Sequence, residues 1–149
     1  MLGVMISWLI LSFFAGFIRK RTAVGRDYRD VTVALAGEHF HFKALIDTAN
    51  FLREPVSGKP VAVICRSAAG DLWQSCPDDR FCLIPFKGIG AEGGLMQGFR
   101  ADLAVIGEMK IERPVFAIYE GEFGRMEGEE AYQILLHREL MEGGIAVNV

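Results

Sequence analysis

The sequence is poor in the residues that build metal and redox sites, with three cysteines and three histidines in 149 residues. Cys65, Cys76 and Cys82 are separated by ten and five residues, so there is no Cys-x-x-Cys ligand pair, and an odd count fits poorly with a disulfide framework. Cys65 and Cys82 lie in apolar runs and read as reduced thiols. His39 and His41 stand two apart with no third ligand evident, and read as part of a solvated strand face. No cofactor and no metal are expected. Basic charge is also missing where a nucleic acid would need it. Residues 19–29 carry +4, and everything from Asp30 onward carries −7. An acidic domain on a basic collar argues against nucleic acid as a partner.

What the sequence has in quantity is apolar surface, 51% of its residues. Residues 1–18 contain no charged side chain. As a helix they rise about 27 Å, enough to cross the hydrocarbon core. A secretory signal carries its positive charge before the apolar run and a small-residue cleavage site after it. Here Arg19-Lys20-Arg21 follows the run and no such site appears, so the segment reads as a membrane anchor. The positive-inside rule then places the rest of the chain in the cytoplasm. The expected division is a transmembrane helix over 1–18, a basic juxtamembrane linker over 19–30 and one domain over 31–149.

That domain reads as strands. Residues 31–35 and 38–46 predict a hairpin turning at Ala36-Gly37, with His39, His41 and Lys43 on one face and Phe40, Phe42 and Ala44 on the other. Further strands are expected at 61–65, 81–86, 102–106 and 114–119, with a turn over 55–60 and a loop or short helix over 67–79. Glu129 and Glu130 open an expected helix that runs through Met141, with His137 and Glu139 as solvated charge on its surface. Gly88-Ile89-Gly90-Ala91-Glu92-Gly93 matches a dinucleotide-binding pattern. Gly94 and Gly98 interrupt the helix that such a site needs, so the stretch reads instead as a mobile glycine-rich loop. Short strands with one late helix predict a small, closed, barrel-like domain of mainly β class.

The stretch Ala44-Leu45-Ile46-Asp47-Thr48-Ala49-Asn50 carries the chemistry. Three apolar residues deliver a carboxylate to a turn, with a hydroxyl beside it. An Asp against an apolar strand is costly unless something accepts its charge. One reading is an Asp that closes the strand and starts an Asx-turn, with Asn50 helping. The other comes from resemblance. The stretch resembles the active-site strand of aspartic peptidases. Together with Phe51-Leu52-Arg53-Glu54-Pro55 and Lys59-Pro60-Val61 it is similar to the sporulation sigma-E factor-processing peptidase family. Leu83-Ile84-Pro85-Phe86-Lys87-Gly88-Ile89-Gly90 and Phe99-Arg100-Ala101-Asp102 resemble that family's second block, so the similarity covers roughly 31–140. Ala49 stands where the family has Gly.

The resemblance implies a retropepsin-like domain in which Asp47 is catalytic and Thr48, Ala49 and Asn50 support its loop. Aspartic peptidases use two carboxylates that share a proton. Asp71, Asp78, Asp79 and Asp102 lack the strand-then-Thr setting, so one Asp per chain demands a homodimer. The implied partners are a second copy, the membrane and a sigma factor precursor, whose pro-sequence is cut on the mother-cell side. The alternative is a weakened or inactive peptidase-like domain that binds protein at the membrane. The family carries several spans before its peptidase domain and this chain has one, as a shortened form or with its start missing. Either 88–98 or 57–69 is a candidate cover for the site.

Overall fold

The computed structural model describes residues 27–87, 93–123, 131–143 and 145–146. The expected anchor at 1–18, most of the expected basic linker, the tip of the glycine-rich stretch and the expected helix start at Glu129 lie outside the described residues. Among the described residues no helix is long and apolar enough to cross a membrane.

Ten strands form a single sheet: β1 (Tyr28–Leu35), β2 (Glu38–Asp47), β3 (Val61–Cys65), β4 (Phe81–Phe86), β5 (Gly94–Arg100), β6 (Leu103–Ile106), β7 (Met109–Glu112), β8 (Val115–Tyr119), β9 (Ile134–His137) and β10 (Ile145–Ala146). Their spatial order is β10-β7-β6-β1-β2-β9-β3-β8-β5-β4. The outer strands β10 and β4 are not paired with each other among the described residues, so the sheet is a half-barrel where the sequence predicts a closed one. The two parallel pairings, β2 with β9 and β3 with β8, lie at its centre.

Alternation explains the first hairpin. Val31, Val33 and Leu35 of β1 are buried, and β2 places His39 and His41 outward with Ala44 in the core. The hairpin turns through Ala36 at φ 52° and Gly37 at φ 83°, both in the left-handed region that a two-residue turn of this hand requires. Ala36 bears that conformation with its N–H donated to Asp102 Oδ2 at 2.9 Å. Asp102 also pairs with Arg80 at 2.7 Å, so this acid is structural. Central β3 is buried at all five positions, as a strand covered on both faces must be. The main helix, α1 (Arg66–Gln74), covers the core with Ala69 and Leu72. Phe99 and Phe116 stack beneath it, with ring centroids 5.2 Å apart.

Three expectations are corrected. The late helix expected to run through Met141 is not present over residues 131–137. Residues 134–137 form β9, inserted between β2 and β3, and only Arg138–Gly143 are helical (α2). Ile134 and Leu136 are buried in the core, and Gln133 ties both neighbours: its N–H donates to Lys43 O at 2.9 Å and its carbonyl accepts from Cys65 N–H at 3.1 Å. The second correction is β5, which occupies much of the expected glycine-rich loop. Gly98 pairs with Cys82 and Ala117 on either side, and the position is glycine because a Cβ there would lie 2.6 Å from Phe116 O. Gly98→Ala is expected to cost about 1–3 kcal/mol through overpacking, read as a fall in the urea midpoint at unchanged slope. The third is the set of strands expected between 102 and 119, which omitted β7; this strand pairs with β6 across a turn at Gly107 (φ 59°).

Candidate active site

β2 ends at Asp47, where its pairing with β1 has already run out at Tyr28 opposite Leu45 and its pairing with β9 stops at His137, so the chain leaves the sheet there and turns. Asp47 Oδ1 accepts the Ala49 N–H at 2.9 Å, and Asp47 O accepts the Asn50 N–H at 3.3 Å. The Asx-turn is therefore present, and the carboxylate keeps a second oxygen beyond it. Asp47 is half-buried, and Thr48 and Ala49 are exposed. Asn50 is 7% exposed and fixes the next step of the loop. Its Nδ2 donates to Val61 O at 2.8 Å and its Oδ1 accepts from Leu52 N–H at 3.0 Å.

Ala49 does not occupy the left-handed region; among non-glycine residues described, only Ala36 and Arg113 do. The glycine of the resembling motif is thus not required here by backbone torsion. Ala49→Gly is expected to lower stability by about 0.4–1 kcal/mol, because it frees the unfolded chain without relieving strain; a gain in stability on chemical denaturation would contradict this.

Beyond Asp47 lies an open cleft of about 870 Å³, with Phe51, Leu52 and Arg53 on one side, Val63 beneath, and Pro85, Phe86, Lys87, Gly94 and Leu95 on the other. It adjoins a second hollow of about 1070 Å³ that shares Leu52, Val63, Phe86, Lys87 and Leu95 and runs on to Ile118, Tyr119 and Glu120. Phe51 is 81% exposed, and Leu95 and Phe86 are also open to solvent. Of the two candidate covers, the β4–β5 hairpin flanks the cleft. Residues 57–69 contribute the core strand β3 and the start of α1 instead.

The loop after Asp47 is held by charges that sequence reasoning missed. Glu54 is 1% exposed, and its carboxylate accepts from Val56 N–H at 3.2 Å, Ser57 N–H at 2.8 Å, the Ser57 hydroxyl and Arg100 Nη2 at 3.2 Å. The Ser57 hydroxyl above all, then the Ser57 and Val56 amides and Arg100, outweigh burial and hold Glu54 down to about 2. Arg53 pairs with Glu139 and donates from Nη1 to Gly58 O at 3.1 Å.

His137 is not solvated charge on a helix, as the sequence predicts; it is 3% exposed. β9 carries it inward and sets it opposite Asp47 in the parallel ladder. The apolar run Ile134-Leu135-Leu136 before it was the signal. His39 and His41 do stand on the exposed face, where His41 Nδ1 lies 3.0 Å from Thr32 Oγ1. All three cysteines are free, and burial pushes the Cys76 and Cys82 thiols up.

A half-barrel that ends a central strand on an aspartate, beside an open groove, defines a β domain with a carboxylate-bearing cleft. The sequence model of the peptidase family U4, sporulation factor SpoIIGA, matches residues 1–140, and the chain belongs to that family. It is similar to a probable sporulation sigma-E factor-processing peptidase of Clostridium acetobutylicum, 22% identical over 142 residues that cover 93% of this chain and 51% of the relative. The chain thus spans about half the length of that curated relative. No solved structure matches it.

Proposed function

We propose that the chain is a membrane-anchored aspartic endopeptidase, with its domain on the cytoplasmic, mother-cell side, that removes the pro-sequence of a sporulation sigma factor precursor. The observation that carries this reading is Asp47 at the end of β2, half-buried, lining an open cleft of about 870 Å³. The relative's printed name supplies the substrate class.

One carboxylate is insufficient for this chemistry. Two, about 3 Å apart, cannot both ionise, so one deprotonates a water while the other protonates the scissile carbonyl oxygen. The water oxygen bonds to the carbonyl carbon, and the C–N bond then breaks as its nitrogen takes a proton. A two-fold homodimer supplies the second Asp47, and the two half-barrels then complete a retropepsin-like enzyme. Exposed Thr48 and Phe51, next to the carboxylate, are the groups that would meet their copies at the axis. Ala49 N–H and Asn50 hold the loop, as their hydrogen bonds indicate. The anchor raises the effective concentration of the two halves.

Alanine at position 49 supports a second reading, a weakened peptidase-like domain that binds protein at the membrane. One experiment separates them. The chain is co-expressed with a sigma factor precursor and the precursor is sized, with wild type and with Asp47→Ala. A shortened product from wild type alone supports the enzyme; shortening by Asp47→Ala as well ends that claim.

A further inference from the structure

Three polar side chains are buried among the described residues, and two of them, Asn50 and Glu54, have their hydrogen-bonding groups met. His137 does not. Its Nδ1 accepts the Glu139 N–H at 3.1 Å, which places the proton of the neutral ring on Nε2. Nε2 has no partner among the described residues. A buried donor left unmet costs about 1–3 kcal/mol, so an apolar residue would serve the core better at this point.

The location is unusual for such a group. Asp47 and His137 are paired across adjacent parallel strands, so their side chains leave the same face of the sheet. Three charged groups act on the ring: Asp47 from β2, Glu139 from α2 and Arg53 from the loop that follows Asp47. On its other side β9 pairs with Val63 and Ile64 of β3, which carry no charge. Glu139, whose N–H meets the ring, holds Arg53 by an ion pair.

We propose that His137 is a positioning residue for Asp47: its backbone pairs with the end of β2, its neutral imidazole accepts the N–H of Glu139, which holds Arg53, and its protonation releases that link. This rests on reading Asp47 as the catalytic carboxylate. A proton on Nδ1 sets two donors against each other, so Glu139 must withdraw. Arg53 keeps its bond to Gly58 O but loses its tie to α2, so the loop that begins at Asp47 is held to α2 less firmly. Burial pushes the imidazole below its ordinary value of 6.5, Glu139 and Asp47 draw it back up, and Arg53 opposes them. The link is therefore complete above 6.5 and is lost as the pH falls through the lowered value.

The test uses the full chain in detergent micelles. His137→Asn keeps an oxygen that accepts the Glu139 N–H but takes no proton; His137→Ala keeps neither property. In precursor cleavage at neutral pH, His137→Ala is expected to lower kcat about 10- to 100-fold with KM within about threefold. His137→Asn recovers most of that loss, and its activity does not decline over the acid range in which wild type does. An unchanged acid limb in His137→Asn overturns the proposal. Nitrogen NMR of the ring decides the coupling even if His137→Ala does not fold. Wild type is expected to show the Nε2–H tautomer and a titration below 6.5, lowered further by Asp47→Asn, which removes a nearby negative charge. An Nδ1–H tautomer, or a titration that Asp47→Asn leaves in place, overturns it. If wild type does not cleave at all, the peptidase reading fails while the titration still decides the coupling.

Discussion

Purified Asp47→Asn protein is expected to lose cleavage by about 100- to 10,000-fold while remaining folded. Asn keeps an oxygen that can accept the Ala49 N–H now held by Asp47 Oδ1, so the turn survives the change. What disappears is the ionisable proton site, and with it both the base that activates water and the acid that serves the carbonyl. The same variant tests the dimer. In an equal mixture of wild-type and Asp47→Asn chains that exchange freely, about one quarter of dimers keep both carboxylates. If each active centre needs two, activity falls to about one quarter of the wild-type value. A fall to one half means that each chain acts alone, and the shared-proton mechanism is then wrong. Cleavage by Asp47→Asn at the wild-type rate removes the carboxylate from the reaction altogether.

The place of Asp47, at a strand end that opens an Asx-turn, was legible because its signal is local: three apolar residues, an acid and a hydroxyl in consecutive positions. The first hairpin and two central strands were legible for the same reason, since His39/Phe40/His41/Phe42 alternates with period two, and β3 and β8 are unbroken apolar runs. Elements failed where the deciding contact lies far away in sequence. β5 hides behind Gly94 and Gly98, whose meaning comes from Phe86 and from Phe116 O pressing on them. β9 reads as helix because the charges of 138–142 continue a helical pattern backward. Only its place between β2 and β3 makes it a strand. The misreading of His137 followed from that, because a residue's burial is set by the element that carries it. Closure of the barrel is illegible in one chain for another reason: the proposed completing half is a second copy.

Glu54→Ala is the substitution expected to harm the fold most. A buried carboxylate is tolerated only when its charge is answered, and Glu54 is answered by two amides, a hydroxyl and a guanidinium. Removing it strands the Val56 and Ser57 N–H groups and leaves half-buried Arg100 facing an empty site, at an expected cost of about 3–5 kcal/mol. For a domain of this size that lowers Tm by more than about 10 °C. The pH dependence has a definite sign. The unfolded carboxyl titrates near 4.5 and the folded one at about 2, so the stabilisation is complete above 4.5 and drains away as the pH falls through 2. At about 1.4 kcal/mol per unit its full size is on the order of 3 kcal/mol. Glu54→Gln keeps the shape and loses the charge, so its stability is expected to fall less than that of wild type over the acid range, the remaining loss coming from carboxylates such as Glu120 and Glu139. The consequence reaches the cleft, because Arg100 belongs to β5, the strand that flanks it, and Glu54 belongs to the loop that begins at Asp47. Breaking this pair uncouples the two walls of the groove. Thermal melts of wild type, Glu54→Ala and Glu54→Gln at pH 3 and pH 7 decide the matter, and a Glu54→Ala melt within about 3 °C of wild type at pH 7 means that the carboxylate does not anchor the loop.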